Sequence, residues 1–100
     1  MNEKHIQHDT SANTRHVCVR NELGLHARPA ARLAQEAQRF ASDIQLIQGD
    51  LEVDAKSILD ILSLAAGQGC ALTLKAEGED AGQALDHLST FIENLLPEEN

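Results

Sequence analysis

The apolar residues of this 100-residue chain keep changing their spacing between Arg15 and Pro97, from every second position to every third or fourth and back again. One backbone conformation cannot serve both periods, so each change marks a new element. Val17 and Val19 alternate with His16, Cys18 and Arg20, which predicts a half-buried strand. Ala30, Leu33, Ala34, Ala37 and Ala41 then recur at helical spacing. Phe40 lies beside the last of them, and Arg32, Gln35, Glu36 and Arg39 occupy the other side. Pro29 fits that helix only in its first turn, where no intrahelical N–H is required of it, so the helix starts at or just after His26.

Asp43 and the run from Ile44 to Gln48 predict a second strand and Leu51 to Asp54 a third, with Gly49-Asp50 as the tight hairpin turn between them. Ser57 is placed to cap a short, very apolar helix through Ile58, Leu59, Ile61, Leu62 and Leu64, which Gly67 ends. Cys70, Leu72, Leu74 and Ala76 alternate with Ala71, Thr73 and Lys75 as a fourth strand. Glu79 or Asp80 can cap a last helix whose stripe is Ala81, Ala84, Leu85, Leu88, Ile92 and Leu95, ended by Pro97. The order βαββαβα leaves room only for short turns, and alternating strands bury one face of their sheet. The expected fold is therefore α+β: a two-layer open-faced sandwich, with three helices on one face of a four-stranded antiparallel or mixed sheet. Residues 1–14, polar and aperiodic, are expected to form a flexible tail, residues 15–97 the domain, and residues 98–100 a short C-terminal tail.

Sixteen acids against eight bases give a formal charge of −8, which argues for protein or small-molecule partners and against nucleic acid or an anionic membrane. The charge is uneven, however. Residues 15–39 contain five Arg and two acids, whereas everything from residue 40 onward contains two Lys and twelve acids. The longest apolar runs, such as Ile61 to Gly67, are far shorter than the roughly 20 residues of a bilayer span, and the first fifteen residues lack the apolar block of a secretory signal. No membrane insertion is expected, and a cytoplasmic location follows by default. Cys18 and Cys70, far apart in sequence, read as reduced packing thiols. His5, His8 and His16 lack the cysteine or carboxylate spacing of a metal site, and His87 reads as a surface residue of the last helix, so no metal or other cofactor is expected. Short, charged strand edges predict a monomer.

The stretch Gly24-Leu25-His26-Ala27-Arg28-Pro29-Ala30 sets a histidine at the start of a helix, beside unsatisfied backbone N–H groups and the positive end of the helix dipole. Such a position binds anions, with Ala27, Arg28 and Ala30 as backbone donors and the Arg28 side chain adding a charge-assisted contact. A neutral imidazole there is a nucleophile suited to attack on phosphorus, with the arriving charge held by the helix end and Arg28 rather than by a metal. Spacing alone also allows a plain helix cap or surface histidine at this place.

These residues resemble the active-site motif of the HPr family of phosphocarrier proteins of the bacterial sugar phosphotransferase system. Ala55-Lys56-Ser57-Ile58-Leu59-Asp60-Ile61-Leu62-Ser63-Leu64 is similar to that family's regulatory-serine motif. The resemblance covers about residues 15 to 96 and implies an HPr-like fold and a stoichiometric carrier rather than an enzyme. It implies that His26 accepts a phosphoryl group at Nδ1 from enzyme I and passes it to an enzyme IIA domain, with Arg28 steadying the group and Pro29 fixing the helix start. It implies that partners dock on the first helix, through Ala27, Arg28 and Arg32, and on Ile58, Leu59 and Leu62 of the second. It also points to Ser57 as a phosphorylation site for an HPr kinase/phosphorylase, beside its role as an N-cap. The alternative is a regulatory binding module of a nitrogen-related or carbon-control branch, switched by phosphorylation of His26 or Ser57. Two positions depart from the pattern: Ala27 stands where some relatives have a hydroxyl, and Asp60 brings a negative charge where glycine or a basic residue is common.

Overall fold

The computed structural model describes residues 13–21 and 24–95. The elements are β1 (Thr14–Cys18), α1 (Ala27–Ala37), β2 (Asp43–Gln48), β3 (Leu51–Asp54), α2 (Ile58–Ser63), β4 (Ala71–Glu77) and α3 (Ala81–Glu93). The strands form one sheet in the order β1-β4-β2-β3, with every pairing antiparallel. The three helices cover one face of this α+β open-faced sandwich. Val17, Ile44, Leu46, Val53, Leu72, Leu74 and Ala76 point inward to meet Leu33, Ile61, Leu85, Leu88 and Ile92 of the helices. His16, Thr73, Lys75 and Glu52 lie on the open face, where His16 Nδ1 lies 3.1 Å from Thr73 Oγ1.

Period-two and period-3.6 patterning predicts these elements well, and the differences lie at the ends. The first helix ends at Ala37, and Gln38 N–H and Arg39 N–H close its last turn on Ala34 O and Glu36 O. Ala41, counted in the helical stripe from sequence, is outside the helix and exposed. β1 stops at Cys18, yet Val19 N–H donates to Cys70 O and Val19 O accepts from Gly69 N–H, so two residues oppose one in a bulge. Cys18 therefore sits opposite Ala71 rather than Cys70; both thiols are free. Thr14, counted in the flexible tail from sequence, begins β1, and Asn13 O accepts from Ala76 N–H, while Leu95 is buried just beyond α3; residues 1–12, with His5 and His8, and residues 96–100, with Pro97 and the expected C-terminal tail, lie outside the described residues.

The last helix begins at the residue the sequence suggests, but Asp80 does not cap it: its side chain makes no bond to the helix N-terminus. The carboxylate instead accepts from Ala41 N–H at 2.9 Å, Ser42 N–H at 3.0 Å and the Ser42 hydroxyl, tying the start of α3 to the turn after α1. Gly78, at φ +146°, makes the approach possible, because a Cβ there would lie 2.8 Å from Ser42 Cα. The Ser42 hydroxyl, then the Ala41 amide, hold the Asp80 carboxyl below the usual carboxylate range. A depressed native pKa contributes stability that is complete above the unfolded value of about 4 and disappears as pH falls through the lower native value. Asp80→Asn is therefore expected to unfold more easily than wild type at neutral pH, with the gap closing below about pH 4. Urea midpoints across pH check this, and a gap independent of pH would contradict it.

His87, read from sequence as a plain surface residue, also bridges two helices. Its Nε2 lies 2.6 Å from Glu36 Oε1, and its ring packs on Phe40 with centroids 5.7 Å apart. That bond, followed by Arg39, holds the Glu36 carboxyl below its ordinary range.

Candidate functional site

His26 is the N-cap of α1, in extended backbone conformation (φ −87°, ψ −167°), and its side chain makes no capping bond. Its carbonyl accepts from Ala30 N–H at 2.9 Å, which opens the helix. Ala30 is thereby removed from the three expected anion donors. The N–H groups of Ala27 and Arg28 remain without a partner among the described residues, and Pro29, buried in the first turn, has none to offer. The Arg28 side chain is exposed and makes no hydrogen bond or ion pair among the described residues. Two N–H groups, the positive end of the helix dipole and the charge of Arg28, two residues along the chain, make the start of α1 electropositive.

The two ring nitrogens differ. Nε2 is buried and has no partner among the described residues, while Nδ1 is not sealed in this way. His26 lines a shallow depression of about 290 Å³ with Leu25, Leu62 and the segment Ala65, Ala66 and Gly67.

That depression exists because two loops meet. Gly24, at φ +70°, lies against the chain after α2: a Cβ at this position would overlap Ala66 O and lie 2.6 Å from Gly67 Cα. Leu25 N–H donates to Ala66 O at 2.8 Å across the same junction. At the far end of α1, Gln38 Nε2 donates to Lys56 O, and Lys56 Nζ donates to Phe40 O, both at 2.8 Å. The end of α2 therefore faces the start of α1 and the end of α1 faces the start of α2, so the helices run antiparallel.

Ala65 follows the C-cap of α2 at φ +52°, the only positive φ of a non-glycine among the described residues. A left-handed conformation costs an alanine about 1 kcal/mol or more, which glycine avoids. Ala65→Gly is expected to raise stability by about 0.5 to 1 kcal/mol, after the larger entropy loss of glycine on folding is allowed for. Chemical denaturation checks it; a loss of stability would show that the methyl group packs usefully.

The remaining sequence candidates separate into two groups. Leu62 borders the His26 depression, and Ile58 and Leu59, 42% and 78% exposed, lie on the outer side of the same helix, while Ile61 and Leu64 are buried. Six residues cannot bury a full apolar stripe on one core, so the exposed pair is a built surface feature. Ala27 and Arg28 are exposed at the start of α1, and Arg32, one turn on, lies with its guanidinium 5.6 Å from the centre of the Phe91 ring. Arg39 pairs with Glu36 at 2.9 Å, so Arg28, Arg32 and Arg39 are not equally available.

Ser57 belongs to a different place. It is the N-cap of α2, and its Oγ accepts from Asp60 N–H at 3.2 Å. A helix rise of about 9 Å separates it from the end that borders His26. The Asp60 carboxylate, out of keeping with the motif, accepts from Asp54 N–H at 3.1 Å and so braces the turn before the helix. Among the described residues no group of three or more His, Cys, Asp or Glu could hold a metal, and no helix is long and apolar enough to cross a membrane.

Two features escaped sequence reasoning. Asn21 is buried, at 2% exposure, and Gly24 is needed for close approach as well as for its φ. A polar residue at the end of an alternating strand is a weak signal, and contact between residues some forty positions apart leaves none.

The family model for the PTS HPr component phosphorylation site matches residues 13–94. The phosphocarrier protein HPr of Cupriavidus necator is 42% identical over 93 residues, covering 93% of this chain and 97% of its own. The HPr-like protein Crh of Bacillus subtilis is 47% identical over 75 residues, 75% of this chain and 88% of its own; one crystal structure of it, described as a swapped dimer, matches with TM-score 0.67, covering 76% of this chain and 87% of that one. The crystal structure of HPr from Bacillus anthracis superposes with TM-score 0.76 at 44% identity, over 79% of this chain and 94% of that one. A match over most of the chain, in sequence and in fold, leads to one assignment: this chain belongs to the HPr family of phosphocarrier proteins of the phosphotransferase system.

Proposed function

We propose that this chain carries a phosphoryl group on Nδ1 of His26, taking it from enzyme I charged by phosphoenolpyruvate and giving it to an enzyme IIA domain. The observation that carries this is the asymmetry of the ring. Burial of Nε2 leaves the Nδ1 lone pair as the one open to a phosphoryl donor, at a helix start whose Ala27 and Arg28 N–H groups have no partner among the described residues. In the transfer, that lone pair attacks phosphorus as the bond from phosphorus to the donor atom breaks, its electron pair returning to the donor. Delivery reverses the step: the acceptor's lone pair attacks, the N–P bond breaks and its electrons return to Nδ1. Ala27 N–H, Arg28 N–H and the Arg28 guanidinium hold the phosphoryl oxygens, and Pro29 sets the first turn. Neither step consumes the chain or needs a cofactor.

Enzyme I and the IIA domain share one docking face: Ala27, Arg28 and Arg32 on α1, with Ile58, Leu59 and Leu62 on α2. Exposed apolar groups give contact area, and the arginines give complementarity to acidic partners and speed their encounter. The chain works in the cytoplasm as a monomer, unlike the Crh dimer; sedimentation at twice the chain mass would contradict this. A second reading, regulation through Ser57 by an HPr kinase/phosphorylase in a carbon-control branch, is favoured by the similarity to Crh and by the place of Ser57, half-buried at a helix N-terminus where added phosphate is stabilised.

Incubation of the folded protein with phosphoenolpyruvate and enzyme I from the same organism tests the leading function. Intact mass is expected to show one added phosphoryl group, lost in acid; absence of label would overturn the carrier role.

A further inference from the structure

We infer that Asn21 is a positioning residue for phosphoryl transfer at His26, acting through the backbone of Gly24; this rests on the function proposed above. Asn21 lies outside both motifs. It is 2% exposed, and its Nδ2 donates to Gly24 O at 2.7 Å while its own carbonyl accepts from Gly24 N–H at 3.1 Å. The peptide groups on both sides of Gly24 are thus held by one side chain and one main chain. Leu25 N–H is held in turn by Ala66 O, and His26 O by Ala30 N–H. From Gly24 to His26, each residue is therefore fixed by at least one bond to a different part of the fold.

Gly24 is the weak link in that series. It must be glycine, because any Cβ would strike Ala66 and Gly67, and glycine is the residue with most freedom to leave its native φ of +70°. Steric exclusion has removed local stiffness just before the nucleophile. The Asn21 amide restores it from outside: a buried donor aimed at Gly24 O makes departure from the native geometry cost a buried hydrogen bond. Loss of that donor frees the chain two residues before His26 while leaving Ile58, Leu59 and Leu62 in place. Transfer chemistry depends on alignment within fractions of an ångström, whereas docking depends on the exposed face. The two kinetic parameters should separate.

The test is the rate of phosphoryl transfer from phosphorylated enzyme I to wild type, Asn21→Asp, Asn21→Ala and Asn21→Ser, each at a temperature where circular dichroism shows it folded. Asp keeps the shape without the N–H donor, Ala removes the group, and Ser retains a shorter donor. The expected result is a kcat about tenfold lower for Asp and Ala, with KM within about twofold and Ser between them and wild type. Wild-type kcat in the folded variants, or a change confined to KM, would overturn the inference. If Asp and Ala fail to fold, Ser decides: a lowered kcat at unchanged KM supports it and wild-type kcat overturns it. Absence of transfer to wild type itself overturns the carrier function and this inference with it, and is told apart because no substitution is needed to see it.

Discussion

Gly24→Ala is expected to be among the most destabilising single changes in this chain, with a loss of about 3 kcal/mol or more. Two costs combine. An alanine at φ +70° pays for a left-handed backbone, and its methyl group would occupy the space of Ala66 O and lie 2.6 Å from Gly67 Cα. The obstacle is main chain on both counts, so rotamer changes give no relief. Either the 24–25 segment or the loop after α2 must move, and the Leu25 N–H to Ala66 O bond breaks in either case. Gly49 makes the matching control: also left-handed, at φ +59°, but with nothing near its absent Cβ. Gly49→Ala should show only the backbone part, about 1 to 2 kcal/mol. Equal losses for the two alanines in urea denaturation would mean that the close approach contributes nothing.

His26→Ala is expected to lose all acid-labile phosphorylation while changing stability by no more than about 0.5 kcal/mol. The separation follows from the local geometry. An N-cap side chain is worth about 1 kcal/mol only when it bonds the helix N-terminus, and His26 makes no such bond. Its Nε2 is buried without a partner among the described residues, a mildly unfavourable arrangement that truncation relieves. Residual acid-labile label in His26→Ala would place the acceptor elsewhere, and a large drop in stability would return the histidine to a structural role.

What the sequence disclosed, and what it hid, divides by range. Val17, Leu33, Ile61 and Leu85 announce their elements because burial on one face imposes a period on the chain, and a period can be read locally. Ser57 is legible as a cap for the same reason: its partner is Asp60 N–H, three residues away. Asp80 looks identical at that scale, yet its carboxylate bonds Ala41 and Ser42, nearly forty residues distant, and no local pattern records the competition. The site shows the same split. His26, Arg28 and Pro29 follow from one heptapeptide, and the exposure of Ile58 and Leu59 follows from the shortness of their helix. Ala30 N–H, counted as an anion donor, is taken by His26 O because that bond opens the helix. The close approach of Gly24 to Ala66 and Gly67 could not be found, since it depends on two loops meeting.

In the proposed transfer, burial of Nε2 directs the phosphoryl group to Nδ1 of His26. The most direct measurement is long-range proton–nitrogen correlation on the ¹⁵N-labelled protein before and after phosphorylation by enzyme I and phosphoenolpyruvate, which identifies the ring nitrogen that becomes bonded to phosphorus. The expected result is a change at Nδ1, with the proton on Nε2 before transfer. A phosphoryl group on Nε2 of the folded protein would contradict it.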